Sequence, residues 1–246
     1  MFETIPETGS TNADLLERLR NGTQPSEGDW LRAERQTGGR GRLGREWKSP
    51  EGNLHCSTVV NLRPADHSAS TLSLVAGLAV FDCVSRYLFD HTPTLLKWPN
   101  DLLIGDRKAA GILLERQGDT VVVGIGVNVS HSPEIPGRKT THIGYENGKF
   151  ANGPDGVLDM LANHFAQRLA DWRDQPLSLT VLEWAIRSHR FNDRLRVTDA
   201  GGKVLQGHYR GITPDGGMRI LPNGGAEQVV HAGDVSLLWN DEEETA

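Results

Sequence analysis

Apolar positions in this chain recur with two periods, and those periods lay out most of its elements. Leu15, Leu16 and Leu19 share one helical face between a capping Ser10 or Thr11 and a stop at Asn21-Gly22, which predicts a helix over 11–20. Leu54, Cys56, Thr58, Val60 and Leu62 recur at every second residue and end before Pro64, the alternation of a half-buried strand. Between Ser68 and Phe89 the apolar positions keep a helical period, with Pro93 beyond the exit, and predict a long helix packed on a sheet. Short runs at 95–98, 102–104, 110–115 and 121–129, separated by Gly105-Asp106 and Gly118-Asp119, are spaced as antiparallel hairpins. Residues 131–154 have little periodicity and predict a long loop, followed by helices at 156–171 and 177–190. After Asn192 the runs shorten, with turns at Ala200-Gly201-Gly202, Pro214-Asp215-Gly216-Gly217 and Pro222-Asn223-Gly224-Gly225, the spacing of a small β-barrel. The division expected is therefore 1–192, then 193–240, with an acidic, frayed tail at 241–246.

Composition narrows the classes of function. The 246 residues carry 26 Lys and Arg against 32 Asp and Glu, a net charge of -6, which disfavours a general binder of nucleic acid or anionic membrane. The start, MFETIPETGSTN, lacks the basic end and apolar run of a secretory signal, and no stretch of apolar residues is long enough to span a bilayer. A cytoplasmic location without a membrane partner is expected. Cys56 and Cys83 lie in apolar segments without metal-ligand spacing and read as buried free thiols; the histidines show no such spacing either.

Positive charge gathers in one place. From Arg32 to Lys48 there are six cations (Arg32, Arg35, Arg40, Arg42, Arg45, Lys48) and two acids, and guanidinium groups alternating with glycine suit a phosphate or carboxylate approached closely by backbone. Gly39, Gly41 and Gly44 spell GxGxxG, yet Pro50 and Gly52 follow where a dinucleotide fold needs a helix, and no P-loop is present. In the second segment, Lys97-Trp98-Pro99-Asn100-Asp101, Pro99 stiffens the backbone. Its Lys and Asp suit charge stabilisation at a phosphoryl or acyl oxygen and orientation of an amine; a surface ion pair on a hairpin is the plain alternative. The third, Gly124-Ile125-Gly126-Val127-Asn128, offers close backbone approach and an amide matched to an adenine edge, or simply a bulge.

Taken together, Ser10-Thr11-Asn12, the run from Gly39 to Arg45 with Trp47, Lys97 to Leu102, Arg107 to Leu113 and Gly124 to Asn128 resemble, in order, the motifs of the biotin protein ligases, with the likeness extending to about Trp239. The resemblance implies an α+β fold: a mixed β-sheet backed by helices, similar to the class II aminoacyl-tRNA synthetase core, then a small C-terminal SH3-like β-barrel. It implies ATP-dependent ligation of biotin, through biotinyl-5'-AMP, to a lysine of a carboxylase's biotin carboxyl carrier domain. Ser10, Thr11, Asn12 and Gln36 would hold biotin, with Gly39, Arg40, Gly41 and Arg42 closing over it and Lys108 at the reacting carboxylate. Arg42, Arg45, Trp47, Lys97, Asn100, Lys108 and Asn128 would hold ATP or the adenylate, Asn128 at adenine. Arg40, Arg42 and Lys108 would stabilise the reacting phosphate, and Asp101 would orient the incoming amine. Mg²⁺ is expected with ATP, its ligands unassigned.

Gly38 departs from the Ala of many relatives. Only nine residues precede Ser10, so the likeness is to the monofunctional class, with no DNA partner and a monomeric or homodimeric state. The rival enzyme is a lipoate ligase or octanoyltransferase of related fold. An Arg/Gly RNA-binding module would need interleaved aromatics and overall basicity, which are missing.

Overall fold

Two sheets and the helices packed on them make up the molecule, for which a computed structural model describes residues 1–147, 153–199 and 202–238. The larger sheet is built from β1 (Phe2–Thr8), β2 (Trp30–Gln36), β3 (Leu54–Asn61), β4 (Thr94–Lys97), β5 (Asp101–Ile104), β6 (Arg107–Gln117) and β7 (Thr120–Val127), in the order β1-β2-β3-β7-β6-β5-β4. The hairpins expected from 95 onward are antiparallel, as is β3 against β2 and β7, whereas β1 and β2 pair in parallel. Neither β1 nor β2 is announced by an apolar alternation. β1 is an edge strand with six of its seven residues from 2 to 8 charged, polar or exposed, and β2 buries four consecutive residues, one of them Arg32.

Helices α1 (Thr11–Arg20), α2 (Leu72–Ser85), α4 (Gly153–Asp174) and α5 (Leu177–Ile186) fall where the periodicity places them, and a short α3 (Ile143–Asn147) interrupts the expected loop at 131–154. α2 is shorter than the apolar run: after Ser85 the backbone tightens to three-residue bonds at Arg86, Tyr87 and Leu88. It is buried all round, because one side meets the sheet and the other meets α4 and α5. On the opposite face of the sheet, α1 lays Leu15 and Leu16 on Leu31, Val59 and Val122 and covers only part of the surface.

The C-terminal strands β8 (Arg194–Thr198), β9 (Val204–Ile212), β10 (Met218–Pro222), β11 (Gln228–Val230) and β12 (Asp234–Leu237) form an antiparallel sheet in the order β11-β10-β9-β8-β12. Among the described residues this sheet is open rather than closed into the expected barrel. It is not a separate bead, since Leu195, Val197, Ile220 and Val235 continue the apolar cluster around α2. The turn before β10 also accepts hydrogen bonds from Trp98 Nε1 to Gly216 O (2.9 Å) and from Ser70 Oγ to Asp215 O (2.9 Å). The turn at 200–201 and the expected tail at 241–246 lie outside the described residues.

Candidate active site

The part of the sheet that α1 leaves open is the floor of a cleft of about 690 Å³. Strand pairing puts Ala33, His55, Gly126, Gly111, Asp101 and Lys97 in one row across it. Where a side chain would rise from the middle of that row, glycine leaves space, and Trp47 lies in it: a Cβ on Gly126 would stand 2.5 Å from the indole, and one on Gly111 3.0 Å. In the next row Gly124 leaves room for the Asn12 amide, 2.3 Å from where a Cβ would be.

Lys108 reaches this face through a register shift. Ala109 and Ala110 both point into the core, and the β5–β6 pairing slips between Leu102 and Leu103. The extra residue returns Lys108 to the side of Gly111, where regular alternation would have placed it on the other face. Its Nζ lies 2.6 Å from Asp101 Oδ1 and 5.3 Å from the Trp47 ring centroid. Both partners of the ion pair are mostly buried (15% and 13% exposed), so it is a feature of the cleft and not of a solvated hairpin. Asn100 holds the neighbouring turn to β6, Nδ2 donating to Ile112 O (2.6 Å).

At the other end of the floor, the start of α1 meets β2 and β3. Ser10 occupies the N-cap position, but its hydroxyl makes no capping bond. The orphan amide of Thr11 donates instead to Gln36 Oε1 (2.8 Å) from β2. Ser57 Oγ lies 2.6 Å from both Thr11 Oγ1 and Asn12 Oδ1, Asn12 Nδ2 reaches Glu115 Oε2 (2.8 Å), and Gln36 Nε2 reaches Ser49 Oγ (3.0 Å). Ser10, Thr11, Asn12 and Ser57 are all buried.

The arginine loop forms the roof as a small hairpin. Arg40 and Glu46 bridge, Trp47 N–H donates to Gly39 O (2.9 Å), and the tip is a tight turn at Arg42–Gly44. Gly39 has no room for a Cβ, which would meet Trp47 O at 2.5 Å; Ala at 38 would stand 3.3 Å from Gly9 O. The loop is tied to the C-terminal sheet: Arg45 makes two bonds to the Asp234 carboxylate (2.7 and 2.8 Å), and Arg42 Nη1 reaches Gly233 O (3.4 Å). Arg138 also approaches Asp234, at 3.5 Å.

Eight Lys and Arg against five Asp and Glu line the cleft, a local excess of three positive charges in a chain of net charge -6. Among the described residues, no carboxylate lies within ion-pair distance of Arg40, Arg42 or Lys97. Burial pushes the pKa of Arg42 and of Lys97 below the usual values, with Asp234 and Asp101 respectively opposing it. An anion in the cleft would relieve that penalty.

The structure thus gathers Ser10, Thr11, Asn12, Gln36, Arg40, Gly41, Arg42, Arg45, Trp47, Lys97, Asn100, Asp101 and Lys108 around one cleft. Asn128 stands behind it, almost fully buried, its Nδ2 committed to Thr141 O (3.0 Å) and its Oδ1 unpaired. Arg32 and Arg35 leave the arginine segment altogether, pairing with Asp155 and Glu7. Cys56 and Cys83 are buried free thiols, burial pushing Cys83 up to about 12. Ser57, Glu115, Arg138 and Asp234 join the site without a sequence motif to mark them; the partnering of β3, β6 and β12 brings Ser57, Glu115 and Asp234 there, and the loop after β7 brings Arg138.

The model of the biotin/lipoate A/B protein ligase family matches residues 4–130. The chain is 37% identical over 241 residues to a biotin--[acetyl-CoA-carboxylase] ligase of Mycobacterium tuberculosis, covering 96% of this chain and 89% of that one. It is 34% identical to the ligase of that description from Paracoccus denitrificans, covering 94% and 98%. Among solved structures it is similar to the biotin protein ligase from Aquifex aeolicus in complex with biotin and ATP, with a TM-score of 0.81 and 29% identity over 96% of this chain and 98% of that one.

Proposed function

Since the chain belongs to the biotin/lipoate A/B protein ligase family, we propose that it attaches biotin to a lysine of a biotin carboxyl carrier domain in two steps. A biotin carboxylate oxygen attacks the α-phosphorus of ATP and pyrophosphate leaves. The carrier amine then attacks the acyl carbon of biotinyl-5'-AMP, AMP leaves, and the amine gives up its proton. The observation that carries this reading is the Lys108–Asp101 pair at the edge of a glycine floor, beneath the unpaired Arg40 and Arg42.

In this reading the urea edge of the fused rings meets Ser10, Thr11 and Gln36, Asn12 over Gly124 braces those groups from behind, and the rings lie against Trp47, which fills the space over Gly111 and Gly126. The carboxylate extends to Lys108. Arg40 and Arg42 take the phosphate charge, Lys97 and Arg45 flank the nucleotide, and Trp47 packs over the intermediate. With Lys108 drawn to phosphate, Asp101 is released to orient the amine. Asn128, whose Oδ1 is unpaired but buried behind the cleft, would accept from the adenine amino group once that atom is uncovered. Mg²⁺ enters with ATP as its counterion, its protein ligands unassigned.

Residues 1–192 then act as the catalytic unit and 193–240 as a C-terminal unit of SH3-like type. All the groups named come from one chain, so a monomer suffices and a homodimer would double the site. The cytoplasm, where carboxylases and ATP meet, is the proposed location, and no DNA partner is needed.

Assaying the two steps separately tests the proposal. Lys108→Ala removes a fixed cation worth about 3 kcal/mol to the transition state, so biotin-dependent pyrophosphate release should fall about a hundredfold. Adenylation at the wild-type rate would overturn the assignment. The family description also covers lipoate, and an acid lacking urea polarity should compete poorly; lipoate displacing biotin at equal concentration would favour that substrate instead.

A further inference from the structure

We propose that Glu115, acting through Asn12 and Ser57, is a positioning residue that fixes the Thr11 hydroxyl as a hydrogen-bond acceptor, and so makes the cleft select a ligand that offers an N–H there. The inference rests on the biotin reading above and deepens it.

The direction of each proton follows from the partners. Asn12 Nδ2 faces only acceptors, Glu115 Oε2 at 2.8 Å and Leu113 O at 3.4 Å, so the amide cannot be turned over. Asn12 Oδ1 must then accept, and the single proton of Ser57 is committed to it at 2.6 Å. Ser57 Oγ can approach Thr11 Oγ1 to 2.6 Å only by accepting from it. The one proton of Thr11 therefore points away from the cleft, and the 3.1 Å approach to Gln36 Oε1 is left without a hydrogen. Gln36 is oriented in turn, since Oε1 accepts the Thr11 amide and Nε2 faces Ser49 Oγ, leaving its second N–H unbonded. The pair presented is one acceptor beside one donor, which complements the N–H and C=O of a cyclic urea. Ser57 is fully buried, so no water can reverse the chain from that side.

Calorimetric titration with biotin and with its two cyclic-carbamate analogues, in each of which a ring oxygen replaces one urea N–H, reads this polarity without a steric change. The wild-type protein should bind one of the two carbamates at least about tenfold more weakly than biotin, because two acceptors then face each other. Ser57→Ala frees the Thr11 proton, and the discrimination should shrink below about threefold. Glu115→Gln still offers Asn12 an acceptor and should keep the wild-type ratio. Glu115→Lys offers a donor, turns the Asn12 amide and should favour the same carbamate. A wild-type protein that binds biotin and both carbamates alike, or a ratio unmoved in Ser57→Ala and Glu115→Lys, overturns the proposal while leaving the biotin reading intact. No heat with biotin itself overturns both.

Discussion

Two histidines carry a pH signature that the reaction does not need. His55 and His189 are almost fully buried, and desolvation pushes each down to about 4, helped by Arg32 near His55 and by Lys97 near His189. Among the described residues neither nitrogen of His189 has a partner, and its ring meets Tyr209 edge-on at 5.7 Å. Between pH 4 and 6.5 the unfolded chain binds protons that the folded one refuses. Stability is therefore complete above pH 6.5 and falls as the pH drops toward 4, by roughly 3 kcal/mol per ring over the whole interval. Urea midpoints should be lower at pH 5 than at pH 7, and His189→Leu should remove about half of the difference, leaving the share of His55; identical wild-type midpoints would contradict this. The chemistry of single residues was the most legible part of the sequence where Pro99 and the arginine-glycine run mark it. Ser57 and Glu115 were silent, because a serine or glutamate in a strand gains its role only from the strand beside it.

Secondary elements were readable where one face is apolar and the other wet, as in α1 and β3. β1 and β2 were not, since an exposed parallel edge strand and a strand burying four residues in a row have no alternation to detect. Nor does any pattern foretell the slip at Ala109, although Lys108 owes its direction to it. Deleting Ala109 removes the extra residue and leaves Lys108 two positions before Gly111, on the cleft face by regular alternation, so adenylation should survive within about tenfold; a loss as severe as in Lys108→Ala would refute this account of the bulge. Gly126→Ala tests the floor. Its methyl would collide with the indole of Trp47, so biotin affinity should fall by at least about tenfold, roughly 1.4 kcal/mol, while the far-ultraviolet circular dichroism stays unchanged. Unaltered affinity would mean that the ligand does not depend on Trp47 in that seat.

At the scale of the molecule, the second sheet completes the first. The composition and spacing after Asn192 foretold short strands and turns, but not that their apolar residues would merge with the core around α2, nor that Asp234 would hold the arginine loop, since both depend on contacts between distant segments. The Arg45–Asp234 pair is partly exposed, so Asp234→Ala should cost at most about 1 kcal/mol of stability. Its larger effect belongs to the loop. Cleavage after Arg40, Arg42 or Arg45 by trypsin should be faster in the variant, and in the wild-type protein saturating biotinyl-5'-AMP should slow it; equal rates in all three samples would remove the tie from the account. The two partners of this bond stand 189 residues apart. At about 5–20 residues per second, translation leaves the arginine without its aspartate for roughly 10–40 s. Until then the roof of the cleft lacks the bond that fastens it to the second sheet.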